Sequence, residues 1–152
     1  MEKMIQKETK RKEIEIEALN EEALKMRSRS YAPYSEFLVG AALLTEDGSV
    51  FLGCNIENAA YSASICAERT AIFKAISEGK QKFVAIAIAG GKKDAKELKP
   101  CMPCGVCRQV MAEFCDPDQF QIIAVKTKTE YTSFLLRELF PEGFGPKDLE
   151  EK

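Results

Sequence analysis

The sequence predicts an α/β domain of three layers, α/β/α, with a mixed central sheet of about five strands. Three observations predict it. Apolar runs of strand length alternate with stretches whose apolar residues recur at helical spacing. A hairpin signal, Asp47-Gly48, joins two of those runs. The chain has 152 residues, 45% hydrophobic and 30% charged, the size and composition of one ordinary globular domain.

Taken in order, residues 1–12 read as a flexible N-terminal extension and 13–152 as a single domain. Ile16, Leu19, Ala23 and Met26 share one helical face, so a first helix runs to about Arg29. Pro33 breaks it, because proline biases the residue before it away from helix. Residues 37–45 and 50–55 are strands on either side of Asp47-Gly48. A loop over 56–64 leads into a helix over 66–78, with Ala67, Ala71, Ile72, Ala75 and Ile76 inward and Gly79 as its stop. Residues 83–89 are almost wholly apolar, as in a strand covered on both faces, and Gly90-Gly91 with the lysine-rich stretch to Lys99 reads as a loop. Pro103 reads as the opening of a third helix, where its missing N–H costs nothing. Cys107, Val110, Met111 and Phe114 share a face of that helix, and Asp116-Pro117 ends it. A strand over 121–126, a shorter strand near 130–132 and a helix over 133–140 complete the chain.

Composition narrows the function. A net charge of −2 argues against a general nucleic-acid binder. The dense basic run of Lys7, Lys10, Arg11 and Lys12 is interleaved with acids and reads as a solvated surface. No apolar run approaches the roughly 20 residues of a membrane span, and the N-terminus has no hydrophobic signal core. A cytoplasmic location without membrane partner is the expectation. The chain has no histidine, so cysteine must be the main holder of any metal and the usual neutral-pH base is missing. Six cysteines stand at 54, 66, 101, 104, 107 and 115; in a reducing compartment such clusters point to metal binding or catalysis. Cys54 in a strand and Cys115 at a helix end read as small buried hydrophobes.

Cys104 and Cys107 alone fit a redox dithiol or half of a structural zinc site. Cys66 and Glu68 stand two apart, a spacing that converges only where the chain is still bending into a helix. Cys66 and Arg69 are three apart and can meet. Three thiolates would leave a fourth zinc position to water, the arrangement of a catalytic site. Cys101 keeps two alternatives open, a fourth ligand that closes the site and a Cys-x-x-Cys-x-x-Cys iron–sulfur run.

Four separated segments carry a family resemblance: Tyr34-Ser35-Glu36-Phe37, the run over 53–62 with Asn55, Glu57 and Tyr61, Cys66-Ala67-Glu68-Arg69-Thr70-Ala71, and Pro103-Cys104-Gly105-Val106-Cys107-Arg108-Gln109. The chain resembles the small three-cysteine zinc class of the cytidine/deoxycytidylate deaminase family, over residues 23–149. The resemblance implies that family's fold, one Zn2+ per subunit, and hydrolysis of cytidine and deoxycytidine to uridine and deoxyuridine with release of ammonia, a pyrimidine-salvage reaction. It implies a homotetramer with shared active sites. Cys66, Cys104 and Cys107 would be zinc ligands and Glu68 the proton shuttle. Asn55 and Glu57 would bind the ribose hydroxyl, Phe37 would pack on the pyrimidine, and the backbone of Ala67 would read the base edge. Tyr61 and Phe144 would complete a neighbouring subunit's site. Arg69 and Arg108 would stand beside the ligand thiolates. Blasticidin-type deaminases resemble the chain in the same segments. One departure is Cys101-Met102 before Pro103, where the family has a small polar residue; the N-terminal extension is another.

Three thiolates leave zinc with a net charge of −1, which makes its water less acidic than a histidine-containing site would. Arg69, Arg108 and two helix N-termini are positioned in the sequence to offset that charge.

Overall fold

The computed structural model describes residues 1–150, and the side chains of these except at 3 and 7–14. Five strands, β1 (Phe37–Thr45), β2 (Val50–Cys54), β3 (Phe83–Lys92), β4 (Gln121–Val125) and β5 (Tyr131–Leu135), form one sheet in the order β2-β1-β3-β4-β5. The β3–β4 pair is parallel and the other pairs are antiparallel, so the sheet is mixed. Among the described residues, four α-helices accompany it: α1 (Glu2–Met26), α2 (Ala67–Ser77), α3 (Gly105–Phe114) and α4 (Leu136–Leu139).

The period-2 alternation of the strands sorts the core into two layers. Ala41, Leu43, Ile86, Ile88 and Ile122 face α2, α3 and α4, meeting Ala71, Ile72, Ala75, Met111 and Leu136. Ala42, Ala85, Ala87, Ala89, Ile123 and Val125 face the other way, onto Leu19 and Ala23 of α1. Two glycines let helix backbone touch strand backbone. A β-carbon at Gly40 would lie 2.0 Å from Ala23 O, and one at Gly53 would lie 2.3 Å from Ala67 O and 2.7 Å from Ala71 N. Gly53 therefore sets the height at which the start of α2 rests on the sheet.

Several element boundaries differ from the sequence reading. The first helix starts at Glu2, well before the apolar repeat that opens at Ile16, and the side chains of the basic run at Lys7, Lys10, Arg11 and Lys12 lie outside those described. β3 continues through Gly90 and Gly91 to Lys92, because β1 pairs with it along that length: Val39 opposite Gly90, Leu38 opposite Gly91. Pro103 does not open α3. It is buried ahead of Cys104, which is the N-cap in an extended conformation. The last strand takes in Ser133, Phe134 and Leu135, paired along β4, and leaves α4 only one turn. Cys54 and Cys115 are buried, as small hydrophobes are.

Candidate active site

Two helix starts meet above the sheet. Cys66 is the N-cap of α2 and Cys104 the N-cap of α3, both with extended backbone and neither side chain bonded back to its own helix. Each thiol is thereby free to point away from the turn it precedes. Cys107, in the first turn of α3 and fully buried, completes the group. The three sulfurs lie within 4.8 Å of one another, with Cys66 Sγ 3.8 Å from Cys104 Sγ. A tetrahedral zinc with Zn–S bonds of about 2.3 Å separates two thiolates by about 3.8 Å, so this donor set fits the ion in size, geometry and softness. Among the described residues it is the one such cluster of three ligating side chains.

Glu68 lies in the first turn of α2, where a carboxylate faces the positive end of the helix. It is 3% exposed, and Oε2 accepts a hydrogen bond from Cys107 Sγ at 3.5 Å. Burial pushes its pKa up to about 7, helped by the negative charge of Cys66. The Cys66 thiol moves the other way, down to about 5, with hydrogen bonds from Cys107 and Arg69 favouring its thiolate. Arg69 Nη2 donates to Cys66 Sγ at 3.3 Å, while its Nε is buried without a partner. Thr70, to which the sequence reading gave no role, donates from Oγ1 to Cys54 O at 3.1 Å and so ties the first turn of α2 to the end of β2.

The two arginines part company here. Arg108 Nε donates to Pro103 O at 2.9 Å and Nη1 to Leu139 O at 2.7 Å, so its guanidinium is held by carbonyls rather than by a sulfur. It anchors the segment before α3 to the end of α4. Removal of Arg69 should therefore lower kcat/KM about tenfold with zinc retained, the scale of one lost charge-assisted contact. Arg69→Lys should recover part of the loss, whereas Arg108→Ala should show first as a lower thermal midpoint. Steady-state rates, metal content and melting curves on the three variants check this.

Cys101 stands outside the thiol group. Its Sγ lies 2.6 Å from where a β-carbon of Gly90 would be, and burial pushes its pKa up to about 11. Its place in the stretch ahead of Cys104 sets this thiol against Gly90 of β3. A Cys101→Ala chain is expected to bind one zinc with unchanged stoichiometry, measured by metal analysis after gel filtration.

The other sequence-predicted site residues lie on β1, just after β2, at the start of α2 and in loops. Ala67 is fully buried. The ring of Phe37 is 36% exposed and rests against Gly90 beside Cys101. Asn55 Oδ1 accepts from Val39 N–H at 2.8 Å and Nδ2 donates to Phe37 O at 2.8 Å, splicing the end of β2 to β1. Glu57 accepts from Ser35 through both its backbone N–H and its hydroxyl. Tyr61 is 76% exposed, edge-on to Tyr34 at 6.0 Å, and Phe144 is 57% exposed with its carbonyl held by Gln109 Nε2.

A mixed sheet between helix layers, with a thiol tripod and a buried acid at two helix N-termini, defines a zinc-site protein built for hydrolytic chemistry. Residues 13–123 match the family described as cytidine and deoxycytidylate deaminase zinc-binding region. A cytidine deaminase of Sporosarcina psychrophila is 44% identical over 136 residues, 90% of this chain and 96% of that protein. One from Halalkalibacterium halodurans is 46% identical over 133 residues, 88% and 96% of the respective lengths. The crystal structure of cytidine deaminase from Burkholderia pseudomallei superposes with a TM-score of 0.75 at 43% identity, covering 84% of this chain and 97% of that one. The chain belongs to the cytidine and deoxycytidylate deaminase family.

Proposed function

We propose that the chain hydrolyses cytidine and deoxycytidine to uridine and deoxyuridine, releasing ammonia. The observation that carries this reading is the tripod of Cys66, Cys104 and Cys107 with Glu68 buried against it and off the sulfurs. The relatives' names supply the substrate class. Cys66, Cys104 and Cys107 hold the zinc, which when bound supplies the electrostatic activation that makes water a nucleophile at neutral pH. Glu68 moves the protons. It accepts one from the attacking water and delivers it to ring nitrogen 3, then takes the second from the hydroxyl added to the ring carbon and passes it to the exocyclic amine, which leaves as neutral ammonia. A permanent zinc ligand cannot alternate in this way, and Glu68 is spaced to stay free. Phe37 packs on the pyrimidine, the backbone of Ala67 meets the base edge, and Asn55 and Glu57 face the sugar. Arg69 and the two helix N-termini offset the charge of three thiolates.

The same reading makes residues 13–152 the catalytic domain and the protein a cytoplasmic homotetramer. The family match beginning at residue 13 supports the first, and no helix among the described residues is long and apolar enough to cross a membrane. Tyr61 and Phe144, both exposed, are the side chains that a neighbouring subunit's site would take up. Ammonia release from cytidine, with zinc content and mass by light scattering measured on the same sample, tests the activity, the metal and the assembly. Zinc-loaded protein that leaves cytidine untouched and turns over blasticidin S would redirect the substrate, and zinc-loaded protein inert on both would end the catalytic reading.

A further inference from the structure

We propose that Ser35 is a positioning residue that couples the sugar-facing carboxylate of Glu57 to the base-packing ring of Phe37; the proposal rests on the substrate roles given above to those two residues. Ser35 Oγ accepts from Phe37 N–H at 3.0 Å and donates to Glu57 Oε1 at 2.7 Å. The direction is fixed. A carboxylate oxygen only accepts, so the hydroxyl proton goes to Glu57 while the hydroxyl oxygen receives the amide proton of Phe37. Ser35 N–H adds contacts to both Glu57 oxygens at 3.2 Å. On its other side, the carbonyl of Phe37 is held by Asn55 Nδ2. Both backbone polar groups of Phe37 thus lead to the two residues that face the sugar.

The backbone between Ser35 and Phe37 is built to hold this arrangement. Glu36 has φ of 54°, in the left-handed region that a residue with a β-carbon enters only under strain. Three contacts keep it there: Glu36 N–H to Ala32 O at 3.0 Å, Lys93 N–H to Glu36 O at 2.8 Å, and Lys92 Nζ to Ser35 O at 2.6 Å. The kink brings the Ser35 hydroxyl under the amide of Phe37. A serine that merely closed a turn would accept from the amide two residues on and stop there. The short bond to a carboxylate 22 residues away is what a turn does not require. It fixes the rotamer of Glu57 and leaves the rest of that carboxylate to a sugar hydroxyl. The thiols and Glu68 sit on α2 and α3, separate from this relay.

The test uses the zinc-loaded full chain with Ser35→Ala, Ser35→Thr, Glu57→Gln, Phe37→Ala and the Ser35→Ala/Glu57→Gln double variant. Ser35→Ala is expected to raise KM for cytidine about tenfold with kcat within about twofold, the pattern of lost ground-state binding. It should also narrow the preference for cytidine over 3′-deoxycytidine. Ser35→Thr keeps the hydroxyl and should return KM to within about threefold of the parent. The double variant should be no worse than Glu57→Gln alone, because residues acting as a unit are not additive. If Glu57→Gln and Phe37→Ala raise KM and Ser35→Ala does not, the coupling is wrong while the substrate reading stands. Additive losses in the double variant, or a fall in kcat equal to that in kcat/KM for Ser35→Ala, overturn it in the same way. If neither Glu57→Gln nor Phe37→Ala moves KM, the substrate roles fall and the coupling falls with them.

Discussion

A Glu68→Ala chain is expected to keep one zinc per subunit and to lose kcat on cytidine by about 10²–10⁴-fold, the usual worth of a positioned general acid–base. Metal retention follows from geometry: the sulfurs of Cys66, Cys104 and Cys107 form the cluster without the carboxylate. The activity loss follows from the absence of a substitute. The chain has no histidine, and the Arg69 guanidinium beside the thiols stays protonated and cannot accept a proton. Glu68→Gln sharpens the comparison, since the amide keeps the size and one acceptor oxygen but carries no proton between atoms. Stability should not suffer in either variant. A carboxyl group that is 3% exposed is costly to bury, so the thermal midpoint should hold or rise. Metal analysis, single-turnover rates and melting on the same preparations check the three parts together. An alanine variant with both full zinc and parental kcat would show that Glu68 moves no proton.

What could be read from the sequence divides along a physical line. Local geometry was legible. The two-residue spacing of Cys66 and Glu68 pointed to a helix end, and the structure makes Cys66 the N-cap of α2. Asp47-Gly48 beside the apolar run of 37–45 signals the hairpin, and Gly48 adopts a positive φ. Features set by partners distant in sequence were not legible. Arg108 follows a ligand by one residue, yet its guanidinium is claimed by the carbonyl of Leu139, which α4 brings alongside. Gly90 and Gly91 look like loop by composition and become strand because β1 runs long enough to pair with them. Ser35 lies inside one of the four family-like segments, but its bond to Glu57 depends on how the chain returns after β2. The start of α1 escaped for a different reason. The repeat opening at Ile16 marks where α1 meets the core through Leu19 and Ala23 rather than where the helix begins.

Gly53→Ala should damage both the fold and the site, and Gly40→Ala should damage the fold alone. Both glycines lie where a helix backbone rests on the sheet, and an added methyl has no flexible side chain to displace. At Gly53 the new carbon would meet Ala67 O at 2.3 Å and Ala71 N at 2.7 Å. At Gly40 it would meet Ala23 O at 2.0 Å and Arg27 N at 2.8 Å. Overpacking of this kind typically costs about 1–3 kcal/mol, so each variant should melt several degrees lower. Their consequences for zinc separate them. Relief at Gly53 requires the first turns of α2 to rise off β2, carrying Cys66 and Glu68 away from Cys104 and Cys107, which are fixed to α3. Zinc affinity and kcat should fall with stability. Relief at Gly40 pushes α1 outward on the opposite face of the sheet, where no ligand is attached, so a folded Gly40→Ala chain should keep parental zinc affinity. Competition with a chelator, run well below both melting temperatures, measures that contrast. Equal zinc affinities in the two variants would mean that the height of α2 on the sheet does not set the thiol tripod.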